Sequence, residues 1–408
     1  MQHPANTLLA DGTPRCRTYR YRLSPTARQL ALLVQLLWLQ CELYNAALEA
    51  RRGTWRWNRQ SVSYFTQTKT LTELRAVRPD TLAFGVTVCR GTLKRLDRAF
   101  QNFFDRCRKG ETPGYPRFKS AARWDSVQYE DRNGWRLDTA NRRLRLYGIG
   151  HIKIKLHRQL QGIPRAITVS REGRHWYVSI RCSHVPAKPL PKTGREVGID
   201  LGVCNTIATS DGELFAGAHF GRQAAGRLAR AQRDLATKTR GSNRRKKVVA
   251  RVAAHHRKVA NQRKDLAHQI SRYLVNHYDT IVFEDLKLKN MVRRPQPLQA
   301  DDGTYLPNGA AAKTGLNRSL HDASLARVVS CTAYKAEEAG RSQHLVDPRY
   351  SSQTCSSCGQ VDAASRISQA VFRCTACGYE AHADINAARN MLSRAGRAQQ
   401  AFACAGSN

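Results

Sequence analysis

The sequence is poor in acidic residues. Of its 408 residues, 31 are Asp or Glu against 68 Lys or Arg, which leaves a formal net charge of +37 at pH 7. So many like charges repel one another in a compact protein unless a polyanion neutralises them, and the composition therefore favours a nucleic-acid partner. Charge alone leaves open a basic soluble protein without that role, or a ribosome-associated one. The length allows two or three domains, each with its own hydrophobic core.

Long hydrophobic runs are also missing. The first 15 residues contain no apolar signal core, and the most apolar run, residues 30–39, is interrupted by Gln35 and too short to cross a bilayer. We therefore expect no membrane association and a reducing cytoplasm. Eight cysteines are then expected as free thiols: Cys16, Cys41, Cys89, Cys107, Cys182, Cys204, Cys331 and Cys404.

The phosphate-binding loops of nucleotide hydrolases are absent from the sequence as well. There is no G-x4-G-K-[ST] loop. Gly-Ile-Asp-Leu-Gly at residues 198–202 resembles the opening of actin-like ATPases, but the second loop that those enzymes require, D-x-G-G-G, does not follow. We therefore interpret this segment as a buried strand that ends in an acid. No internal repeat is evident.

Four cysteines near the C-terminus have the spacing of a zinc ribbon, C-x2-C-x15-C-x2-C. Each C-x2-C turn directs two thiolates at one point, and the loop between them lets the turns meet around a tetrahedral Zn²⁺. Zinc with four thiolate ligands has no open coordination position, so we predict a structural zinc site and not a catalytic one. The predicted ligands are Cys355, Cys358, Cys374 and Cys377.

The first 190 residues combine strands with two long helices. A strand is predicted at 16–23, a helix at 26–51 after the start signal Ser24-Pro25, and a second helix at about 80–108. The prolines of residues 186–191 mark the predicted domain boundary. Further strands are predicted at 142–146, 151–156, 166–171 and 175–182.

Beyond the boundary, short apolar strands alternate with helices. Two strands end in acids, Asp200 and Glu284, and a glycine- and proline-rich segment at 293–312 is predicted to be a mobile loop. One helix is expected at 316–339, with Gly340 as the residue that ends it.

Residues 222–264 are predicted to be helical and strongly basic, with fifteen Lys or Arg against one acid, Asp234. A run of charge is usually a solvated face, but a ratio this skewed favours contact with phosphates. The candidate contacts are Arg230, Arg233, Arg240, Arg244, Arg245, Lys246, Lys247, Arg251, Arg257 and Lys258.

A third acid, Asp384, opens a helical segment after the ribbon, where an aspartate alone is usually no more than an N-cap. Three converging carboxylates, Asp200, Glu284 and Asp384, would form an oxygen-rich site that suits Mg²⁺ or Mn²⁺. In a protein that attracts phosphates, two-metal phosphodiester hydrolysis is the chemistry that such a site favours.

Several motifs carry a resemblance to a known family. GIDLG at 198–202, FEDL at 283–286, the two C-x2-C-G turns within 354–378 and ADINAARN at 383–390 look like a RuvC-type nuclease with an inserted zinc ribbon. This arrangement is that of the transposon-encoded TnpB family and its relatives, the compact type V CRISPR effectors. Further similar segments are LDRAFQNFF at 96–104, GYPRFK at 114–119, residues 317–340 and DPRYSSQTCSSCG at 347–359.

The resemblance implies a mixed α+β, multidomain fold and an RNA-guided DNA endonuclease with Asp200, Glu284 and Asp384 as the catalytic triad. The implied partners are a guide RNA and double-stranded target DNA, read next to a short adjacent motif. A monomer is favoured, in a prokaryotic cytoplasm and at the nucleoid when it is bound to DNA. The implied domains are a β-barrel wedge at 1–24 and 110–190, a helical recognition domain at 25–109, an RNase H-like (RuvC) nuclease at 191–350 and 379–396, a zinc ribbon at 351–378 and a disordered tail at 397–408.

The sequence departs from the family pattern at one place. Many relatives carry Gly-Trp-Gly after the aspartate that corresponds to Asp322, where this chain has Ala323, Ser324 and Leu325. Two alternative functions accompany the nuclease hypothesis: an RNA-guided repressor that binds DNA without cutting it, and a guide-free RuvC-like resolvase or transposase.

Overall fold

The structure is a computed structural model that describes residues 8–9 and 12–405, with the side chains of 81–82 and 397–405 set aside. Cys404 therefore lies outside the described side chains. The chain divides into two compact units, residues 1–186 and 187–408, and the division falls at the first proline of the predicted boundary. No disulfide joins the described cysteines.

The N-terminal unit is built on one antiparallel sheet of seven strands, in the order β2-β6-β7-β1-β5-β4-β3. Strands β2 and β3 are its two edges and are not hydrogen-bonded to each other, so the predicted β-barrel is a curled half-barrel sheet with two free edges. The strands are β1 (Arg17–Ser24), β2 (Ser126–Tyr129), β3 (Trp135–Asp138), β4 (Arg143–Leu146), β5 (Gly150–Lys155), β6 (Ile163–Glu172) and β7 (His175–Ser183).

Four helices lie between β1 and β2: α1 (Ala27–Asn58), α2 (Tyr64–Lys69), α3 (Leu71–Val77) and α4 (Val86–Arg108). Helix α4 packs against edge strand β2 so closely that a Cβ at Gly91 would lie 2.3 Å from the carbonyl oxygen of Gln128. The predicted helix at 80–108 begins only at Val86, because Gly85 has a φ of +74° and separates it from a short 3-10 helix.

In helix α1, the apolar periodicity of the sequence predicts only in part which side chains are buried. Leu33, Leu37 and Leu48 are buried in the core, as predicted, whereas Leu30, Val34 and Trp38 are 42–47% exposed. By length and mean hydropathy alone, α1 is also the one helix among the described residues that could cross a membrane. Half of its most apolar stretch is buried inside the protein, and the core helices of soluble proteins can be equally long and apolar.

The C-terminal unit has a mixed five-stranded sheet in the order β10-β9-β8-β11-β14. Strands β8, β9 and β10 form an antiparallel meander, and β11 runs parallel to both β8 and β14. Their bounds are β8 (Glu196–Leu201), β9 (Asn205–Thr209), β10 (Leu214–Ala216), β11 (Thr280–Glu284) and β14 (Ser342–Val346).

Six helices accompany this sheet, together with two small hairpins. The helices are α5 (Phe220–Ala236), α6 (Asn243–His277), α7 (Leu288–Met291), α8 (Ala310–Ala323), α9 (Leu325–Ala339) and α10 (Ala383–Ala405). The hairpins are β12–β13 (Leu298–Gln299 with Tyr305–Leu306) and β15–β16 (Val371–Arg373 with Glu380–His382).

Three expectations for this unit are corrected. The basic helix at 222–264 is a pair of helices, α5 and α6, that pack against each other across a turn. The helix at 316–339 is two helices, because Ser324 has a left-handed φ of +55°. Most of the tail at 397–408 continues the alanine-rich helix α10 to Ala405, and residues 406–408 lie outside the described part.

Candidate active site and zinc ribbon

Two acids meet at the carboxyl end of neighbouring parallel strands. Phe283 of β11 lies opposite Ile199 of β8, so the next residues, Glu284 and Asp200, follow at the same sheet edge. The Leu201 N–H donates to Glu284 Oε1 at 3.1 Å, which fixes one carboxylate. Glu284 is 8% exposed, so this is a buried charged group at a strand end, as predicted.

Helix α10 brings the third acid to the same place. Asp384 lies in its first turn and is 5% exposed, and Asn205 Nδ2 donates to its Oδ2 at 3.1 Å. The helix packs against β8 at Gly198, where a Cβ would lie 2.0 Å from the carbonyl oxygen of Ala388. Glycine is therefore required at 198 so that the helix can approach the strand that carries Asp200.

We call the site formed by the carboxylates of Asp200, Glu284 and Asp384 the acid centre. Its electrostatics favour a bound cation. Burial, followed by the hydrogen bond to Glu284 and repulsion from Glu284 and Asp384, raises the pKa of Asp200 to about 9. A carboxyl group with so high a pKa retains its proton near neutral pH, unless a positive charge takes the proton's place. Oxygen ligands of this kind suit Mg²⁺ or Mn²⁺.

The ligand atoms of the acid centre lie farther apart than those of the cysteine site. Among the described residues, the four cysteines are the only group of three or more potential ligand side chains whose ligand atoms all lie within 4.8 Å of one another. The carboxylates of Asp200, Glu284 and Asp384 are therefore neighbours, but their oxygen atoms do not all lie within 4.8 Å of one another.

The ribbon cysteines fit a tetrahedral zinc ion. Their sulfur atoms are 3.8 Å apart between Cys355 and Cys377, and 3.6 Å apart between Cys358 and Cys374. Zn–S bonds of about 2.3 Å in a regular tetrahedron place sulfur atoms about 3.8 Å apart. Hydrogen bonding from the Cys377 N–H lowers the pKa of Cys374 to about 6, whereas hydrogen bonds with the neighbouring cysteines outweigh an opposing backbone hydrogen bond and raise the pKa of Cys377 to about 12. The clustered sulfur atoms therefore share their protons, and a metal ion displaces these protons when it binds.

Two known protein families match this chain, and the two matches lie mostly in the C-terminal unit. A family described as "Probable transposase", OrfB_IS605, matches residues 179–294, and the TNB domain of Cas12f1-like proteins matches residues 326–391. "Putative RNA-guided DNA endonuclease InsQ" of Escherichia coli K12 is 33% identical over 74% of this chain and 72% of its own length. A Streptomyces pristinaespiralis protein with the same description is 33% identical over 92% of this chain and 89% of its own.

The chain belongs to the TnpB family. The resemblance inferred from the motifs is therefore confirmed. Among solved structures, that of the mini-RNA-guided endonuclease CRISPR-Cas_phi3 is similar at a TM-score of 0.46 and 10% identity, covering 94% of this chain and 92% of the other.

In this TnpB protein, Asp322 holds three helices together. Its carboxylate accepts hydrogen bonds from the N–H groups of Gly221 and Arg222 at the start of α5, and from Arg263 Nε of α6 at 3.0 Å. Asp322 itself belongs to α8, two residues before the left-handed Ser324.

The ten candidate phosphate contacts in α5, α6 and the turn between them fall into three groups. Arg245 Nη1 donates to the carbonyl oxygens of Leu235 and Lys238, and Arg251 pairs with Asp234, so these two also hold the helix pair together. Arg257 is half-buried. The remaining candidates are exposed: Arg230, Arg233, Arg240, Arg244, Lys246, Lys247 and Lys258.

Arg366 is a site residue that the sequence analysis missed. It lies in the ribbon, directly after a 3-10 turn, and its Nη2 is 3.5 Å from Asp384 Oδ1. Its positive charge also opposes the rise in the pKa of Asp200. No spacing or motif distinguishes it from the other arginines, because only the folded ribbon brings it to the acid centre.

Proposed function

We propose that this protein is an RNA-guided DNA endonuclease that hydrolyses phosphodiester bonds of target DNA with Asp200, Glu284 and Asp384. The observation that carries the proposal is the convergence of these three carboxylates, from two strands and a helix that are far apart in the sequence. Membership of the TnpB family, whose relatives described above are named as RNA-guided DNA endonucleases, supports it.

The proposed nuclease domain is RNase H-like. Three antiparallel strands followed by parallel β11 and β14 support that topology, with the acids where parallel strands end. In this proposal the ribbon is an insertion between β14 and α10, and the N-terminal unit supplies the wedge-like sheet and the helical recognition part.

The residues around the acids orient them and can contact a scissile phosphate. Two bound Mg²⁺ or Mn²⁺ ions would activate a water molecule and stabilise the leaving oxygen. The Leu201 N–H donates to Glu284 Oε1 and Asn205 Nδ2 donates to Asp384 Oδ2, so one oxygen of each carboxylate is held by a neighbouring group. The guanidinium of Arg366 is well placed to pair with a non-bridging phosphate oxygen.

A basic face of the N-terminal sheet supports a polyanionic partner. Exposed like charges lie directly opposite one another on adjacent strands, where such pairs destabilise a sheet. This basic sheet face is defined by the pairs Arg136 with Arg145, Arg143 with Lys153, and Arg22 with Lys155.

The phosphates of a nucleic acid would neutralise these opposed charges. We therefore assign the guide RNA and the double-stranded target DNA as partners of this monomer, in a prokaryotic cytoplasm. Base pairing between the guide and one DNA strand would supply the sequence choice.

The test is cleavage by the complex purified with its copurifying RNA. We expect Mg²⁺-dependent cutting of a plasmid that matches the guide, and a loss of at least about hundredfold in Asp200→Ala, the scale seen when an electrostatic group leaves a reacting centre. Guided binding of the plasmid should remain, because Asp200 lies at the centre of the acids and not on the basic surface.

Two outcomes would favour the alternatives. Guided binding without cutting by the wild-type protein would indicate an RNA-guided repressor. Cutting that needs no RNA would indicate a resolvase or transposase. Undiminished cutting by Asp200→Ala would reject the assigned triad.

A further inference from the structure

Two buried asparagines of α10 hold the backbone on both sides of a ribbon cysteine. Asn386 Nδ2 donates to the carbonyl oxygen of Thr354 at 2.8 Å, and its Oδ1 accepts from the Ser356 N–H at 2.9 Å. Thr354 and Ser356 are the two neighbours of Cys355. One amide side chain therefore spans a predicted zinc ligand with both of its polar atoms.

Asn390, one helical turn later, holds the segment before the same cysteine. Its Nδ2 donates to the carbonyl oxygens of Ser351 at 2.9 Å and Thr354 at 2.7 Å. Asn386 is fully buried and Asn390 is 5% exposed. Buried hydrogen bonds of this kind are costly to leave unmade, so the helix and the cysteine turn move as one body.

The other side of α10 is held equally firmly by the sheet. Ala388 lies against Gly198 of β8 without room for a Cβ, and Asp384 is two residues before Asn386 on the same helix. Ala383, the first residue of α10, also donates its N–H to the carbonyl oxygen of Ala370 in the ribbon. The position of Asp384 is thus determined jointly by the ribbon and by the strand that carries Asp200.

We propose that Asn386 and Asn390 form a clamp that positions Asp384 and couples the zinc ribbon to the acid centre. This inference rests on one part of the proposed function, the binding of Mg²⁺ by the acids. Thermodynamic coupling is reciprocal. Zinc in the ribbon therefore strengthens Mg²⁺ binding at the carboxylates, and Mg²⁺ at the carboxylates strengthens zinc binding in the ribbon. We expect the stronger zinc binding to appear as slower zinc release.

The coupling is measured without any nucleic acid. Zinc release from the purified protein is followed by absorbance with 4-(2-pyridylazo)resorcinol, with and without Mg²⁺. For the wild-type protein we expect Mg²⁺ to slow release by at least about fivefold, the lower end of typical coupling between sites. Asp200→Asn should abolish this protection, because it removes a carboxylate from the Mg²⁺ site and leaves the clamp intact.

The decisive variant is Asn386→Ala with Asn390→Ala. It keeps all four thiolates, so we expect one zinc per chain, but release that no longer responds to Mg²⁺. In the guided cleavage assay, the Mg²⁺ concentration for half-maximal rate should rise by at least about fivefold. Asn390→Ala alone leaves the Asn386 contacts and should therefore give an intermediate response. The control is Asn102→Ala, which removes an asparagine side chain at an exposed position of α4.

Three results would overturn the clamp: a wild-type protein whose zinc release ignores Mg²⁺, a double variant that keeps the protection, or a double variant that purifies without zinc. The last would mean that the asparagines fold the ribbon and do not position Asp384. A failure of guided cleavage in the wild-type protein would instead reject the proposed function, and the zinc-release result would stand by itself.

Discussion

Asp200 lies between a buried strand and two further carboxylates, and its protonation links the acid centre to the stability of the protein. Its pKa is raised to about 9 by burial and by Glu284, whereas an unfolded chain gives aspartate a pKa near 3.8. Between these values the folded protein holds a proton that the unfolded chain releases. Rising pH therefore favours the unfolded state at this residue.

We expect Asp200→Asn to reveal this dependence. Without added Mg²⁺, the Tm of the wild-type protein should fall relative to that of the variant as the pH rises from 5 to 8, because only the wild-type protein must keep or lose that proton. Added Mg²⁺ should stabilise the wild-type protein more at pH 8 than at pH 5, because the proton that the cation displaces from Asp200 is released at a lower free-energy cost at the higher pH.

Thermal unfolding at several pH values measures both effects. Asp301→Asn, at an exposed position, controls for the loss of one negative charge. Parallel curves for wild-type protein and Asp200→Asn would contradict the raised pKa.

At the scale of secondary-structure elements, the contact between β8 and α10 decides whether the acids meet. Gly198 has no Cβ, and the helix uses that space: the carbonyl oxygen of Ala388 would lie 2.0 Å, and the Leu392 nitrogen 2.8 Å, from a Cβ at this position. Both obstacles are backbone atoms, so a side chain at 198 cannot be accommodated by a change of rotamer. The helix must move away from the strand.

Gly198→Ala should therefore lower stability and activity together. We expect a destabilisation of about 1–3 kcal/mol from overpacking, measured by denaturant unfolding. Because the helix carries Asp384, cleavage should also fall under conditions in which the variant remains folded.

The matched control is Gly226→Ala in exposed α5, where a Cβ meets nothing within 4 Å. That change should be neutral or stabilise the helix by up to about 1 kcal/mol, because alanine is the better helix former. A folded, fully active Gly198→Ala protein would contradict the importance of this contact.

At the scale of the whole molecule, part of the excess positive charge is concentrated on one face of the N-terminal sheet. On the basic sheet face, Lys153 lies opposite Arg143, with Arg22 and Arg145 on its diagonals. Opposed like charges destabilise a sheet, and of these residues only Arg143 also has an acid, Asp138, directly opposite it. A polyanion bound to this face would offset the remaining repulsion.

Lys153→Glu should change stability and RNA affinity in opposite directions. The free protein should gain about 0.2–1 kcal/mol, because an opposed like-charge pair becomes an attractive one. Binding of the copurifying RNA should weaken, and the slope of log affinity against log salt should become shallower by about one for the lost phosphate contact.

Thermal unfolding and filter binding at several salt concentrations measure these changes, with Lys153→Gln as the neutral comparison. An unchanged salt slope would remove this face from the proposed RNA interface.

Local patterns in the sequence determined much of the site. The cysteine spacing was sufficient to predict a cluster that the structure brings within 4.8 Å, because two short turns carry all four ligands. Asp200 and Glu284 could be placed at strand ends because a buried strand has a recognisable apolar run with a clear end. The net charge follows from composition alone, and it favours a nucleic-acid partner.

Only the tertiary structure decided the rest, because it depends on contacts between residues distant in the sequence. Arg366 reaches Asp384, and the asparagines reach the Cys355 turn, only through the folding of the ribbon. The open sheet and the exposed side of α1 likewise depend on which element packs where, and apolar periodicity along one helix carries no information about its neighbours. The meeting of Asp200, Glu284 and Asp384 belongs to both levels: the sequence names the acids, and the packing of α10 on Gly198 brings them together.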